Sequence, residues 1–519
     1  MRGILGMAPG HRKGFSPERC SCSRKSVGAM LVTLLVVQLF AAQVMLASED
    51  AADEVAATEA SFFFLPEMDG IMQGFVGDCM PYYEDGVYYI YYLKDGGDSY
   101  HHAIYLTTTT DFLTYTEVDA PVLEASDPPA QDEWIGTGSV VKTDDGYYLF
   151  YTGHTDTDAF EYAETVMLAK GKDLTAFEKV AEWEITPDDS LGQKRDFRDP
   201  QGYYDEETGQ FTFTITASQD GVARILKYTV SKDLSEIIYD GIIFTDPVGK
   251  VYNLECSDTF RIGDTWYLTY SAQDDVLWYA QSQSPYGPYS EPKALDGPLF
   301  YAAKHVEDGE HTYMVGWARR SGSEKDTRKV NGWGGNLLVQ QVAQREDGSL
   351  VLEPVEAIAR QYDQSVAIAG GTEASAPASP VDLELTAEAQ RTYTQLTTTP
   401  ERFLLKGSFT YQGEGSFGLA FDFKDGEEDY KRITIDPKEH TLSLQFRGGA
   451  VTPAQTPVEL TEGETCSFTY IQEDSVGVFY IDGQTAFTVR LYGVNNRPMY
   501  LFAENCQVSF SQLEIHTRA

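Results

Sequence analysis

Three acidic residues in similar local settings could share acid–base and nucleophilic chemistry. Asp199 lies in Phe197-Arg198-Asp199-Pro200-Gln201, with a guanidinium beside it. Asp78 lies in Val76-Gly77-Asp78-Cys79-Met80-Pro81, and Glu255 in Asn253-Leu254-Glu255-Cys256-Ser257-Asp258. Two carboxyls about 5–5.5 Å apart can cleave a glycosidic bond with retention, one attacking the anomeric carbon and the other protonating the leaving oxygen. A third acid can fix sugar hydroxyls and support the positive charge of the transition state. Like charges held close in a partly buried site raise the pKa of one acid, so that it can donate a proton near neutral pH. These residues are 121 and 56 positions apart along the chain, so only the fold can bring them together.

The elements that could do so recur five times. A short segment with a polar or acidic residue leads to a Gly-containing turn (Gly86, Gly146, Gly209, Gly263, Gly309) and then to an aromatic strand. The strands are 87–93, 147–151, 211–215, 265–270 and 312–317, each followed by another, such as 102–107, 165–170, 223–230, 276–281 and 336–342. Alternating aromatic runs bounded by Gly and Asp are strand signals. A repeat of this length holds one small antiparallel sheet, the unit of a radial β-propeller. A single sandwich would not explain the regular return of the turn and aromatic strand. The expectation is therefore an all-β chain with a five-bladed β-propeller over 61–366. Residues at one end of the innermost strands converge on the central channel of such a fold. Asp78, Asp199 and Glu255 precede their turn glycines by 8, 10 and 8 residues, which predicts similar positions in blades one, three and four.

After Ile358 the pattern stops. Residues 367–380 (AIAGGTEASAPASP) have the composition of a linker. Alternating segments at 402–409, 416–423, 431–435, 441–446, 465–472, 476–481, 486–491 and 507–515 predict a C-terminal β-sandwich over 381–519.

The N-terminus reads differently. Arg2, Arg12, Lys13, Arg19, Arg24 and Lys25 precede an uncharged apolar run from Val27 to Ala47. Residues 1–47 are therefore expected to be a signal peptide or an N-terminal membrane anchor, with 48–60 an acidic spacer. The formal charge of -41 repels nucleic acid and anionic lipid, so a neutral partner is expected, although the same charge also keeps an exported protein soluble. Of six cysteines, Cys20 and Cys22 lie before the apolar run, and Cys79 and Cys256 directly follow acids, where alternation suggests packing thiols. Cys466 and Cys506 could pair. No cysteine or histidine spacing matches a metal site, and carboxylate chemistry requires no cofactor.

Several strings go beyond what geometry gives. Arg198-Asp199-Pro200, Glu255-Cys256, Trp134-Ile135-Gly136-Thr137-Gly138-Ser139, Pro298-Leu299-Phe300-Tyr301-Ala302, Val315-Gly316-Trp317 and Gly332-Trp333-Gly334-Gly335 occur in the order found in glycoside hydrolase family 32. Residues 62–355 resemble the catalytic domain of that invertase, levanase and inulinase family, and 402–515 resemble its C-terminal sandwich. The resemblance implies Asp78 as nucleophile, Glu255 as general acid and then base, and Asp199 with Arg198 as binders of fructosyl hydroxyls. It also implies Trp134, Gly136, Thr137 and Tyr301 at the substrate, with Trp134 and Tyr301 either walling the sugar pocket or packing between blades. The expected partner is a fructose-containing oligo- or polysaccharide; the sequence does not indicate an oligomeric state. The chain departs from the family's Trp-Met-Asn-Asp-Pro-Asn-Gly around the nucleophile, since Asp78 lacks the neighbouring Asn, Pro and Asn. His101 and His102 align with a Gly-His of the family and read as strand-start histidines held by hydrogen bonds. Two alternatives stand beside this reading: an arabinan- or xylan-debranching hydrolase of the related family 43, and a sugar-binding propeller without catalysis.

Overall fold

The computed structural model describes residues 60–66, 75–95, 102–192, 194–247, 249, 251–320, 332–369, 380–388, 390–421, 431–446 and 451–518. The expected export segment, Cys20, Cys22, His101 and residues 370–379 of the expected linker lie outside these.

Five four-stranded antiparallel sheets follow one another, each ordered from its first strand outward. Their first strands are Gly77–Glu84, Trp134–Thr143, Phe197–Asp205, Leu254–Ile262 and Phe300–Glu307. These line the centre, contacting one another from blade to blade. The aromatic strands come second, and blade-on-blade packing buries both of their faces: Ile90, Tyr91 and Tyr92 are fully buried, as are Phe211, Phe213 and Ile215. Strands covered on both sides read as near-continuous apolar runs. Tyrosine serves because its ring fills the gap between blades while its hydroxyl reaches a polar edge. The Tyr91 hydroxyl donates to the Leu174 carbonyl at 2.7 Å, and that of Tyr151 to Asp132 at 3.0 Å.

Each first strand carries a β-bulge near its start. The register slips between Gly77 and Met80, Gly136 and Gly138, Arg198 and Gln201, Glu255 and Asp258, and Tyr301 and Lys304. A bulge re-aims side chains and is common beside functional sites. The first bulge residues are Asp78, Thr137, Asp199, Cys256 and Ala302. Four of them adopt left-handed backbone, with φ of 38° at Asp78, 57° at Asp199, 51° at Cys256 and 51° at Ala302.

The C-terminal sandwich packs a seven-stranded sheet on a six-stranded one. It includes strands the sequence reading did not separate, among them Val381–Thr386, Thr392–Thr398, Val451–Pro457 and Pro498–Glu504. Its contact with the propeller buries Leu404, Ile471, Val476, Val478 and Tyr480 in one apolar cluster with propeller residues, and buried polar bonds cross it as well. Arg490 donates to the carbonyls of Ala318 (2.7 Å) and Arg319 (2.9 Å), and Asp296 accepts from the Thr488 amide (2.8 Å) and hydroxyl (2.6 Å).

The Cys466–Cys506 pairing is not formed; both are free thiols. Cys466 opens a strand of the seven-stranded sheet, opposite Phe409, whereas Cys506 sits in the turn after a strand of the six-stranded sheet, its thiol directed at the Ser416 carbonyl 3.5 Å away.

Candidate active site

The bulges create two adjoining rings at one end of the channel. The residue before each bulge gives Gly77, Gly136, Arg198, Glu255 and Tyr301, and the first bulge residue gives Asp78, Thr137, Asp199, Cys256 and Ala302. Asp78 and Asp199 are thus equivalent. Glu255 stands one residue earlier in its strand, and Cys256 takes the ring position that the two aspartates occupy. The expectation of three similar positions is corrected to this extent. Cys79 and Cys256 both pack in one apolar core, as packing thiols; Cys79 is the second residue of its bulge, whereas Cys256 is the first and its thiol points at the Thr137 hydroxyl, 3.8 Å away.

In the first ring, Glu255 is held at both oxygens. Arg198 Nη2 donates to Oε1 at 2.8 Å and the Tyr301 hydroxyl to Oε2 at 2.5 Å. Its carboxyl remains about one-quarter exposed, so it can meet a substrate. Tyr301 itself is buried, with the Arg319 guanidinium over its ring at 4.6 Å. Its hydroxyl thus holds Glu255 while its ring packs between Trp317 and the Arg319 guanidinium.

In the second ring, Asp199 is buried, at 4% exposure; its amide donates to Thr152 Oγ1 at 2.9 Å and its Oδ2 accepts from the Cys256 amide at 2.8 Å. Burial pushes its carboxyl up to about 7, against the charge of Arg198 and the Cys256 amide, while Glu255 and Asp78 push it further up. Asp78 is raised by burial and then by the charge of Glu255; His102, the Trp317 indole and the Thr137 hydroxyl act the other way. The indole Nε1 donates to Asp78 Oδ1 at 3.3 Å. The three carboxyls therefore feel one another electrostatically, as the sequence predicted, and both aspartates are displaced upward.

Thr137 is buried against Asp78 and Cys256, placing it on the nucleophile candidate. Gly136 faces Thr152, whose Cβ lies 3.0 Å from where a Gly136 Cβ would be. Trp134 is partly exposed at the channel mouth, edge-on to His154 with ring centres 6.0 Å apart.

Four further residues belong to the site. Trp317 and Trp333 sit in strings quoted above without a role, and His102 was read as structural. His102 stacks on Trp333 at 4.2 Å, and Trp333 occupies the space a side chain at Gly77 would need. Glu164, on the third strand of blade two, has no sequence signal. It accepts from the Phe197 amide (2.8 Å) and Arg198 Nη1 (3.2 Å) and lies 3.3 Å from His154 Nδ1. Burial alone would raise its carboxyl, but the His154 hydrogen bond and the Arg198 charge hold it at about 2. Its stabilising contribution is thus full above the ordinary glutamate value near 4.3 and lost as pH falls towards 2. Glu164→Gln is expected to cost about 3 kcal/mol at pH 7, because it breaks a buried ion pair, and to lower kcat by loosening Arg198. Urea unfolding at pH 7 and at pH 3 checks this: the difference between variant and parent should shrink at the lower pH.

Among the described residues no group of three or more His, Cys, Asp or Glu side chains is arranged to hold a metal ion. Adjoining carboxyls, one exposed and hydrogen-bonded at both oxygens and one in a bulge under an indole donor, suit displacement at an anomeric carbon.

Comparison with known proteins bears on this arrangement. The model for the glycosyl hydrolases family 32 N-terminal domain matches residues 78–354, from the first aspartate to the end of the fifth blade. This sets aside the family 43 alternative. The sucrose-6-phosphate hydrolase of Escherichia coli is 27% identical over 290 residues, covering 50% of this chain and 57% of that protein's length. Among solved structures, the sucrose-6-phosphate hydrolase of Lactobacillus gasseri superposes with TM-score 0.67 at 16% identity, covering 91% of this chain and 96% of the other. Fructan 1-exohydrolase IIa of Cichorium intybus gives 0.67 at 14%, covering 88% and 98%. A Bombyx mori β-fructofuranosidase gives 0.62 at 18%, covering 91% and 98%. At these identities the superpositions establish the shared fold.

Proposed function

The chain belongs to glycosyl hydrolase family 32, and from that premise we propose that it hydrolyses β-fructofuranosidic bonds with retention, in sucrose, fructooligosaccharides, levan or inulin. The observation that carries the reading is the Glu255 carboxyl held by Arg198 and Tyr301 within electrostatic reach of Asp78. Asp78 attacks the anomeric carbon of the fructosyl unit while Glu255 gives its proton to the departing glycosidic oxygen, leaving a fructosyl ester on Asp78. Glu255, now a carboxylate, takes a proton from water, which attacks the same carbon and releases fructose and Asp78. Asp199 and the guanidinium of Arg198 hold fructosyl hydroxyls, and Trp134 stacks at the mouth. The basic and apolar N-terminal segment supports export, with the enzyme secreted or surface-held.

Incubation with sucrose, levan, inulin and arabinan, with the first-formed product followed by NMR, tests this. Release of β-fructofuranose from at least one fructoside is expected. Inverted product, or binding without turnover on every fructoside, would overturn it, the latter in favour of a sugar-binding propeller.

A further inference from the structure

Lys304 directly follows the bulge of blade five, is 2% exposed, and donates from Nζ to the Gly138 carbonyl at 2.7 Å. Gly138 belongs to blade two, and the first strand of blade one lies between those two blades, so the side chain reaches across the channel just below the second ring. Among the described residues Lys304 forms no ion pair and has that single acceptor. Burying a lysine head group on one hydrogen bond is costly, and a methionine would fill the same space without the cost. The reason for a lysine here lies in what it holds.

Thr137 and Gly138 are where the other four blades meet. The Thr137 hydroxyl hydrogen-bonds the Asp78 carboxyl of blade one, and Met80 Sδ of the same blade accepts from the Gly138 amide at 3.1 Å. The Thr137 carbonyl accepts from Thr152 Oγ1 at 2.9 Å, and that oxygen accepts from the Asp199 amide of blade three at 2.9 Å. From blade four the Cys256 thiol points at the Thr137 hydroxyl, 3.8 Å away, and from blade five comes Lys304. A bulge interrupts its ladder and leaves the extra residue unpaired. Met80 on the amide of Gly138 and Lys304 on its carbonyl replace that missing support, and Thr137 keeps its aim.

We propose that Lys304 is a positioning residue for the nucleophile, clamping the bulge of blade two so that the Thr137 hydroxyl stays on Asp78. Its use in catalysis rests on the function proposed above. Asp78 also faces Glu255, Asp199, His102, Cys79 and Cys256, all of which are the same in a Lys304 variant and its parent. A hydrogen bond to a carboxylate favours its charged form. Loosening Thr137 should therefore raise Asp78 further and move the acid limb of kcat/KM to higher pH, because the nucleophile must be ionised.

NMR of the full chain labelled at the tryptophan indole nitrogens tests this. Trp317 Nε1 donates to Asp78 Oδ1 at 3.3 Å, so its signal, assigned with Trp317→Phe, follows the ionisation of Asp78 whether or not sugar is turned over. In Lys304→Met the midpoint should lie about one pH unit above that of the parent. On sucrose kcat/KM should fall about tenfold or more, with its acid limb displaced equally. Thr137→Val should give a similar shift, and adding Lys304→Met to it should add little. Met80→Leu removes the other half of the clamp, should shift the midpoint in the same direction, and serves if Lys304→Met does not fold. An unchanged midpoint in the folded variant, or a full second shift on top of Thr137→Val, overturns the proposal; the latter would mean that Lys304 acts on Asp78 directly. Turnover of a fructoside with an unchanged midpoint overturns it alone, whereas a shifted midpoint without turnover of any fructoside overturns only the catalytic reading.

Discussion

Replacement of Asp78 or Glu255 by Ala is expected to lower kcat on sucrose by at least about 10⁴-fold, because each removes a group whose work is done only in the transition state. The two losses should differ in how they are repaired. Without Asp78 no covalent fructosyl intermediate forms, so added azide should act only from the open face and yield an inverted fructosyl azide. Without Glu255 the first step still occurs when the leaving group needs no proton. Azide should then capture the Asp78 ester with overall retention, restoring turnover of an activated aryl fructoside but not of sucrose. Stopped assays with NMR of the azide products distinguish these outcomes. Full activity in either variant, or identical azide stereochemistry in both, would remove the double-displacement assignment. The geometry supports the asymmetry: Asp78 is tied to Trp317 and Thr137, whereas Glu255 is positioned by Arg198 and Tyr301.

Asp199→Asn should make the protein more stable and less active together. An aspartate in an unfolded chain titrates near 3.9, whereas Asp199 is raised to about 7 by burial. Between these values the folded chain keeps a proton that the unfolded chain has released, so stability falls as pH rises through the window. Above it the full cost of a buried charge remains. Asparagine has no such charge, and its Oδ1 can still accept the Cys256 amide bond that Asp199 accepts at 2.8 Å. The expected result is a Tm higher by on the order of 3–5 °C at pH 8, with little difference at pH 4. At the same time, on the mechanism proposed above, kcat/KM should fall by about 10²–10³-fold, since the carboxylate assigned there to fructosyl hydroxyls is gone. Calorimetry at the two pH values with parallel kinetics decides; a lower Tm at pH 8 would mean that Asp199 serves to stabilise the fold.

Much of this arrangement was legible in the sequence. Repeating turn glycines and aromatic strands imply blades because a strand buried on both faces must be filled with large apolar rings, and Asp78, Asp199 and Glu255 follow from their places in the repeat. The one-residue offset of Glu255 was not visible. It depends on a bulge that breaks alternation, and composition does not mark where a strand takes an extra residue. For the same reason the contact of the Cys256 thiol with Thr137 was not visible. Glu164 was missed because it reaches Arg198 from another blade, and its neighbours on that strand resemble any other strand. Trp333 enters above Gly77 from the far side of blade five, a contact that only closure of the ring creates. In the sandwich, Thr392–Thr398 and Val451–Pro457 were passed over because Thr, Gln and Pro dilute their alternation, although pairing with apolar neighbours holds them as strands.

The bulges also bear on how this scaffold could be altered. Ala302 stands in the same ring as the two aspartates, yet it bears neither charge nor a side-chain hydrogen bond, and the ladder on either side of its bulge is complete. A directed-evolution library confined to this codon would therefore vary the ring while sparing the side-chain hydrogen bonds around Asp78, Asp199 and Glu255. Asparagine or glycine at 302 would additionally relax a backbone geometry that alanine adopts reluctantly.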